Sequence, residues 1–459
     1  MLTIASNLDL IQQQRSFFAT GQTKAIEFRI TQLKTLKSAI ENHENEILEA
    51  LQRDLNKPSF EAIAAELTLC LEEINYSLKH IKKWAKPKKA KTLITQFPAS
   101  SRIMADPLGV VLIISPWNYP FQLGIAPLIG AIAAGNCAIL KPSELAPYTS
   151  SIIAKILGSS FPSEYIAVVE GDKEITQDLL KHKFDHIFFT GGTKIGKIIM
   201  QAAAQHLTPV TLELGGKSPC IVTPDTHLDY TARRIVWGKF INAGQTCIAP
   251  DYLLVHRSIK QPLIAAMVEQ IKAFYGENPA VSPDYARIIT AGHFQRLTGL
   301  IEPAKVIYGG ESEAKTRYIA PTLLDGVTWE DKVMADEIFG PILPILEYES
   351  LEDAIAQINQ RPKPLALYLF TTNKQTEQQV LTQTSSGGVC VNDTIMHIAS
   401  PEMPFGGVGD SGMGAYHGKA TFDTFSHYKS VLTRSFLFDL KLRYPPYEGK
   451  LKYIKMLLR

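Results

Sequence analysis

Much is scarce or missing in these 459 residues, and each absence removes a class of function. The net charge is only +2, so no field over the whole molecule points to a nucleic-acid partner. No apolar run approaches the ~18 residues of a membrane-spanning helix. The opening residues, MLTIASNLDLIQQQ, have neither a basic stretch nor a long apolar core, so they do not read as a secretory signal. There is no CxxC and no HExxH, so zinc spacing is absent and no metal is expected. Five irregularly spaced cysteines form no disulfide framework and suit a reducing, cytoplasmic setting. No internal repeat or low-complexity tract appears.

What is present is ordinary globular composition, 45% hydrophobic and 20% charged, in a chain long enough for two or three domains. Residues 8 to 82 show apolar residues at helical spacing, as in RITQLKTLKSAIENHENEILEALQRDL. KKWAKPKKAKT then breaks the pattern and reads as a solvated connector. Beyond it strands and helices alternate. The apolar runs VVLIIS, CAILKP, YIAVVEG, HIFFTG and TLELGG are strands, and the stretches between them are helical. That alternation predicts a parallel, doubly wound sheet. A second α/β stretch, 217 to 395, holds PCIVT, YLLVH, ALYLFT and GGVCVN.

A doubly wound sheet binds ligands beyond the carboxyl ends of its strands. HIFFT runs into GGTKIG, where Gly191 and Gly196 match a dinucleotide fingerprint but Thr193 replaces its middle glycine. A plain strand-to-helix turn explains this equally well. KPSE, residues 141 to 144, offers Lys141 and Glu144 to ribose hydroxyls.

Of the cysteines, Cys70 lies on a helix stripe, and Cys137, Cys220 and Cys390 sit inside apolar strands, as core thiols do. Cys247 differs: GQTCIAP places it after a polar turn, a setting expected to lower a thiol pKa. Nucleophile and buried thiol both remain open on this context alone. Glu213, between two leucines in LELGG, suits a general base of raised pKa, or a single exposed position of an edge strand. Asn118, held between prolines in PWNYP, suits an oxyanion donor or an ordinary turn. EIFGP, 337 to 341, places an acid and an aromatic before a Gly-Pro turn.

PWNYP, KPSE, FTGGTKIG, LELGGKSP, GQTCIAPDY, EIFGP and PFGGVGDSGMGAYHG occur in this order over residues 116 to 418. Together they resemble the aldehyde dehydrogenase superfamily. GQTCIAPDY, SGMGAYHGKATFDTFSH and LRYPP look like its class 3 and fatty-aldehyde branch. The resemblance implies a Rossmann-type NAD(P)-binding domain (1–82 and 100–212), an α/β catalytic domain (213–395) and a small β oligomerisation arm (83–99 and 396–440). It implies Cys247 as nucleophile, Glu213 as base and Asn118 as oxyanion donor. Lys141 and Glu337 would bind ribose and Phe339 would lie beside the nicotinamide. Ser115, Trp117, Glu144, Gly191, Gly192, Thr193, Gly196 and Leu214 would complete the cofactor contacts. Where the family's phosphate turn often reads Gly-Ser-Thr, this chain has Gly191-Gly192-Thr193. Tyr119, Trp237, Ile395, Met396 and His397 are the expected substrate channel. The implied reaction oxidises medium- to long-chain aliphatic and aromatic aldehydes to acids with NAD or NADP, in a homodimer.

Three other readings compete. The thioester could pass to coenzyme A or phosphate, against which a water-activating Glu213 argues. The fold could serve as a catalytically silent binding protein. The basic tail, 441 to 459, with Leu451, Ile454 and Leu458 on one face, could touch a membrane or cover the partner subunit.

Overall fold

The structure, a computed structural model, describes residues 4–439 and 441–457. The amphipathic opening is helical, with Ile4–Ala19, Ile26–Asn42, Glu44–Leu55 and Thr68–Trp84 as its main elements. Their apolar stripes, for example Leu33, Leu36 and Ile40, are fully buried. Ahead of the last helix, Ser59–Ala62 runs into one π-turn, Ile63–Leu67. Such a turn inserts a residue into the helix and rotates the next turns about the axis.

The expected doubly wound sheet is present. Its six strands lie in the order Gly412–Met413, Val210–Glu213, His186–Thr190, Val110–Ile114, Cys137–Lys141, Ile166–Val168. All neighbours are parallel except the first pair. VVLII is continuously apolar because both faces of that strand are covered. The helix Gln122–Ala134 is buried over its whole length. Val110–Ile114 is the switch point: Cys137–Lys141 lies on one side of it and His186–Thr190 on the other. Trp117 and Asn118 come directly after that strand.

A second sheet has the order Val306–Tyr308, Thr322–Leu324, Ile342–Tyr348, Tyr252–His256, Pro219–Val222, Ala366–Phe370, Gly388–Val391, parallel but for its first pair. The third sheet, antiparallel, joins Lys88–Ala90, Ala99–Pro107 and Ser426–Arg434. It extends past residue 99, where the arm was expected to end its first segment. Gly412–Met413 adds an edge strand to the first sheet. Gly412 pairs with Glu213, because the edge strand needs a backbone partner. The helix Lys419–Thr424 lies so close to Gln122–Ala134 that a Cβ at Gly130 would meet Thr421 Cγ2 at 2.0 Å.

Among the described residues, no helix is long and apolar enough to cross a membrane, and no cluster of potential metal ligands occurs. The tail holds a turn, Lys441–Arg443, and a helix, Leu451–Leu457, with Leu451, Tyr453 and Met456 exposed. Leu458 and Arg459 lie outside the described residues.

Candidate active site

The segment that carries Cys247 is strained, and its neighbours hold it. After the helix Leu228–Phe240, Asn242 (φ 53°), Ala243 (φ 51°) and Gly244 (φ 73°) are all left-handed. Non-glycine residues adopt that region at a cost. Hydrogen bonds offset it. The Asn242 N–H donates to Glu61 at 3.1 Å and the Asn242 amide to the Asn118 carbonyl at 2.8 Å. The buried Gln245 side chain donates to the carbonyls of Asn242 and Arg287 and accepts from the Ile289 N–H, each at 3.0 Å. Gly244 allows no other residue, since a Cβ there would lie 2.3 Å from the Gly340 carbonyl oxygen. The GQTC and EIFGP segments therefore touch backbone to backbone.

Cys247, Glu213 and Asn118 share one cleft of about 210 Å³ with Trp117, Leu214, Glu337 and Phe339. Asn118 is buried and donates to the Gln245 carbonyl at 3.0 Å, which commits one of its two amide hydrogens. Glu213 is buried at the carboxyl end of its strand, and neither carboxylate oxygen has a hydrogen-bond partner. Burial pushes its pKa well above the usual carboxylate range. That direction matches the expectation from LELGG.

The thiol departs from expectation. Burial, and then the nearby carboxylates of Glu337 and Glu213, push the Cys247 pKa up to about 12. The backbone N–H groups of Cys247 and Ile248 oppose this but do not prevail. A polar turn in the sequence suggested a lowered value. In the fold that turn is enclosed, and two acids face the sulfur. Burial and Asp251 likewise raise Glu337 to about 8, against a hydrogen bond from the Gly216 N–H.

The donor set fits a dinucleotide. The 12-residue helix Thr193–Ala204 opens at the carboxyl end of His186–Thr190, and the space over Gly192 is open. Free N–H groups at such a terminus suit a pyrophosphate. Gly196 is needed where the helix nears the next strand, since a Cβ there would meet Leu214 at 2.7 Å. The Thr193 hydroxyl is engaged elsewhere, donating to the Asp410 carbonyl at 3.2 Å, which leaves its backbone N–H for a phosphate. Lys141 is buried and lies 2.6 Å from the Glu144 carboxylate. The buried Ser115 hydroxyl has no partner. The Glu337 carboxylate lies over Gly215, where a Cβ would be 2.2 Å from it. Phe339 meets the Trp117 ring edge-on at 5.3 Å, forming an aromatic wall. Of the expected cofactor contacts, Trp117, Gly191, Gly192, Leu214, Glu337 and Phe339 line the cleft itself; Ser115, Lys141, Glu144, Thr193 and Gly196 do not.

None of the expected channel residues lines this cleft. Tyr119 bonds Thr246, next to Cys247, at 2.8 Å. Ile395 donates its N–H at 3.3 Å to the Tyr368 hydroxyl, which in turn bonds the Ile248 carbonyl. His397 stands against the Tyr368 ring, and burial holds its pKa down at about 4. Trp237 is partly buried in Leu228–Phe240, and Met396 is exposed. The sequence reading missed His293 and Arg296, which line the cleft from the helix Ala291–Thr298. Their i, i+3 spacing puts both on one helix face, the one available clue. His293 lies 4.8 Å from the Trp117 ring, and Arg296 donates to the Ile338 carbonyl at 2.8 Å.

Comparison with known proteins agrees with this geometry. The model of the aldehyde dehydrogenase family matches residues 9–431. The 4,4'-diaponeurosporen-aldehyde dehydrogenase of Staphylococcus aureus is 51% identical, over 98% of this chain and 99% of that one. The dimeric NADP-preferring aldehyde dehydrogenase of Canis lupus familiaris is 48% identical, over 96% of this chain and 98% of its own. Staphylococcus aureus AldH in its substrate-bound state superposes with a TM-score of 0.97 at 50% identity, covering 100% of both chains.

Proposed function

The chain belongs to the aldehyde dehydrogenase family, an NAD(P)-dependent enzyme that oxidises aldehydes to carboxylic acids, and on that footing we propose that Cys247, Glu213 and Asn118 carry the chemistry. The observation that carries this reading is one cleft holding a thiol and a buried carboxyl group with no partner.

Cys247 Sγ, once deprotonated, attacks the aldehyde carbon. The carbonyl oxygen takes up negative charge and is met by the free N–H of the Asn118 amide and the Cys247 backbone N–H. NAD or NADP bound in this cleft would supply the acceptor for the hydride of that carbon. The product on this chain is a thioester of Cys247. Glu213, ionised, takes a proton from water, and attack of that water releases the acid and the thiol. A raised pKa makes the Glu213 carboxylate a stronger base than an exposed one. Lys141, Glu144 and Glu337 would hold ribose hydroxyls, the terminus at Gly192 and Thr193 the pyrophosphate, and Phe339 and Trp117 the flat rings. Assay of acid formation with NAD and with NADP, in the presence and absence of coenzyme A, tests the reading. An acyl-coenzyme A product in place of free acid would overturn the hydrolytic role of Glu213.

The substrates in this reading are medium- to long-chain aliphatic and aromatic aldehydes. The apolar and aromatic character of Tyr119, Trp237, Ile395 and Met396 supports it. The staphylococcal relative is named for 4,4'-diaponeurosporen-aldehyde, and that name supports an aldehyde of this kind as substrate. The cofactor domain comprises 1–82 and the first sheet, the catalytic domain the second sheet. The three-stranded arm joins two copies, a reading supported by exposed Ile94, Phe97 and Leu432 and by the canine relative's name. The basic tail adds weak, reversible contact with an anionic membrane surface.

A further inference from the structure

Lys57 and Glu66 form an ion pair with no exposed surface on either side chain. Neither lines the cleft. Both reach the loop that carries Asn118. Lys57 Nζ donates to the Asn118 carbonyl at 3.1 Å and sits 4.1 Å over the Tyr119 ring. The other Glu66 oxygen accepts the N–H groups of Phe121 at 2.9 Å and Gln122 at 3.2 Å. Those N–H groups open the helix Gln122–Ala134, whose own N-cap supplies no side-chain bond. A carboxylate from elsewhere in the chain thus caps it.

The π-turn makes this reach possible. On a regular helix, residues five apart point about 140° away from each other. Glu61 and Glu66 flank or occupy the turn Ile63–Leu67. Glu66 serves the Asn118 loop, while Glu61 accepts the Asn242 N–H at the base of the Cys247 loop. One helix with a π-turn therefore holds both segments of the cleft. A buried ion pair is weak evidence for stability, because apolar replacements of similar volume often do as well. What it gives here is direction: a cation on one peptide oxygen and an anion on two N–H groups three and four residues on.

We infer that Lys57 and Glu66 are positioning residues for Asn118, fixing its peptide so that its uncommitted amide N–H faces the reacting oxygen. The inference rests on the oxyanion role of Asn118 proposed above.

The test is a double-mutant cycle. The neutral pair variant K57M/E66L is compared with N118A and with the triple variant, reading kcat, KM and NAD binding by fluorescence. The pair variant should lose roughly 10- to 100-fold in kcat, the scale of a small misplacement near the chemistry, with NAD binding unchanged. In the N118A background the same pair change should cost nothing more, since its target is gone. K57Q/E66Q can keep a hydrogen bond between the two side chains and should recover part of kcat; it replaces the apolar pair if that form does not fold. An impaired N118A beside a pair variant of wild-type kcat would overturn the inference alone. Losses that multiply in the triple variant would also overturn it, as they would mark the pair as merely structural. An unimpaired N118A would overturn the inference together with the oxyanion reading.

Discussion

The Asn118 amide donates to the Gln245 carbonyl at 3.0 Å, two residues before Cys247. This bond ties the switch point of one sheet to the nucleophile's loop on the other. It fixes the donor relative to the loop that carries the thiol. N118A should lower kcat by ~10²–10³, the usual effect of losing one oxyanion donor. KM for NAD should change little. Steady-state kinetics with saturating cofactor checks this, and a wild-type kcat would remove Asn118 from the mechanism.

The two halves of the reaction separate at Glu213. C247A should form no acid yet bind NAD as before. E213Q keeps size but not basicity, so thioester should accumulate. A burst of reduced cofactor followed by very slow turnover is expected in rapid-mixing experiments. A burst slowed in proportion to turnover would assign Glu213 to the thiol instead of the water.

Alkylation reports on the thiol directly. The Cys247 pKa of about 12 predicts that its reaction with iodoacetamide, without cofactor, climbs with pH far past neutrality. After burial, the Glu337 carboxylate raises it most. E337Q removes that charge, so the same limb should move to lower pH. A limb that stays in place would mean burial alone sets the value.

Acid stability has a different origin. Burial pulls His186 down to about 4 from 6.5, and its Nε2 lies 3.0 Å from the Thr211 hydroxyl. Its folded value is depressed, so the unfolded chain takes up the proton first. Stability from this group is present above pH 6.5 and is lost as pH falls through about 4. Melting temperatures measured across that window should decline, and more gently in His186→Asn.

The tail offers a salt-dependent prediction. Residues 441 to 457 carry Lys441, Arg443, Lys450, Lys452 and Lys455 against Glu448 as their one acid, with Arg443 3.8 Å from Asp439, and Leu451 and Met456 are exposed. Basic residues near an anionic surface contribute on the order of 1 kcal/mol each. Full-length protein should pellet with anionic vesicles at low salt and be released at high salt. A form ending at Leu440 should not pellet. Equal behaviour of the two forms would assign the tail to the protein itself.

The strands and helices were legible because doubly covered strands read as apolar runs and partly covered helices as stripes. Cys247, Glu213 and Asn118 were legible because each sits beside a strand or turn marked by glycine or proline. Their electrostatics were only half legible. Glu213 sits between leucines, and its raised pKa agrees with that. The acids that face Cys247 come from positions 213 and 337, which no local pattern around GQTC reveals. Nothing near Lys57 or Glu66 in sequence marks an ion pair that caps a distant helix. The strand Ala99–Pro107 finds its long partner only at Ser426–Arg434, a pairing no local pattern marks.

The pairing of Glu213 with Gly412 also orders events during synthesis. Chains fold as they emerge, N-terminal parts first. The opening helices can form early, but the Cys247 loop lacks its contact with Gly340, and the strand bearing Glu213 its edge partner, until those later segments arrive. A nascent or shortened chain would present its thiol before its acid is enclosed. The enclosed cleft is thus a property of the nearly finished polypeptide.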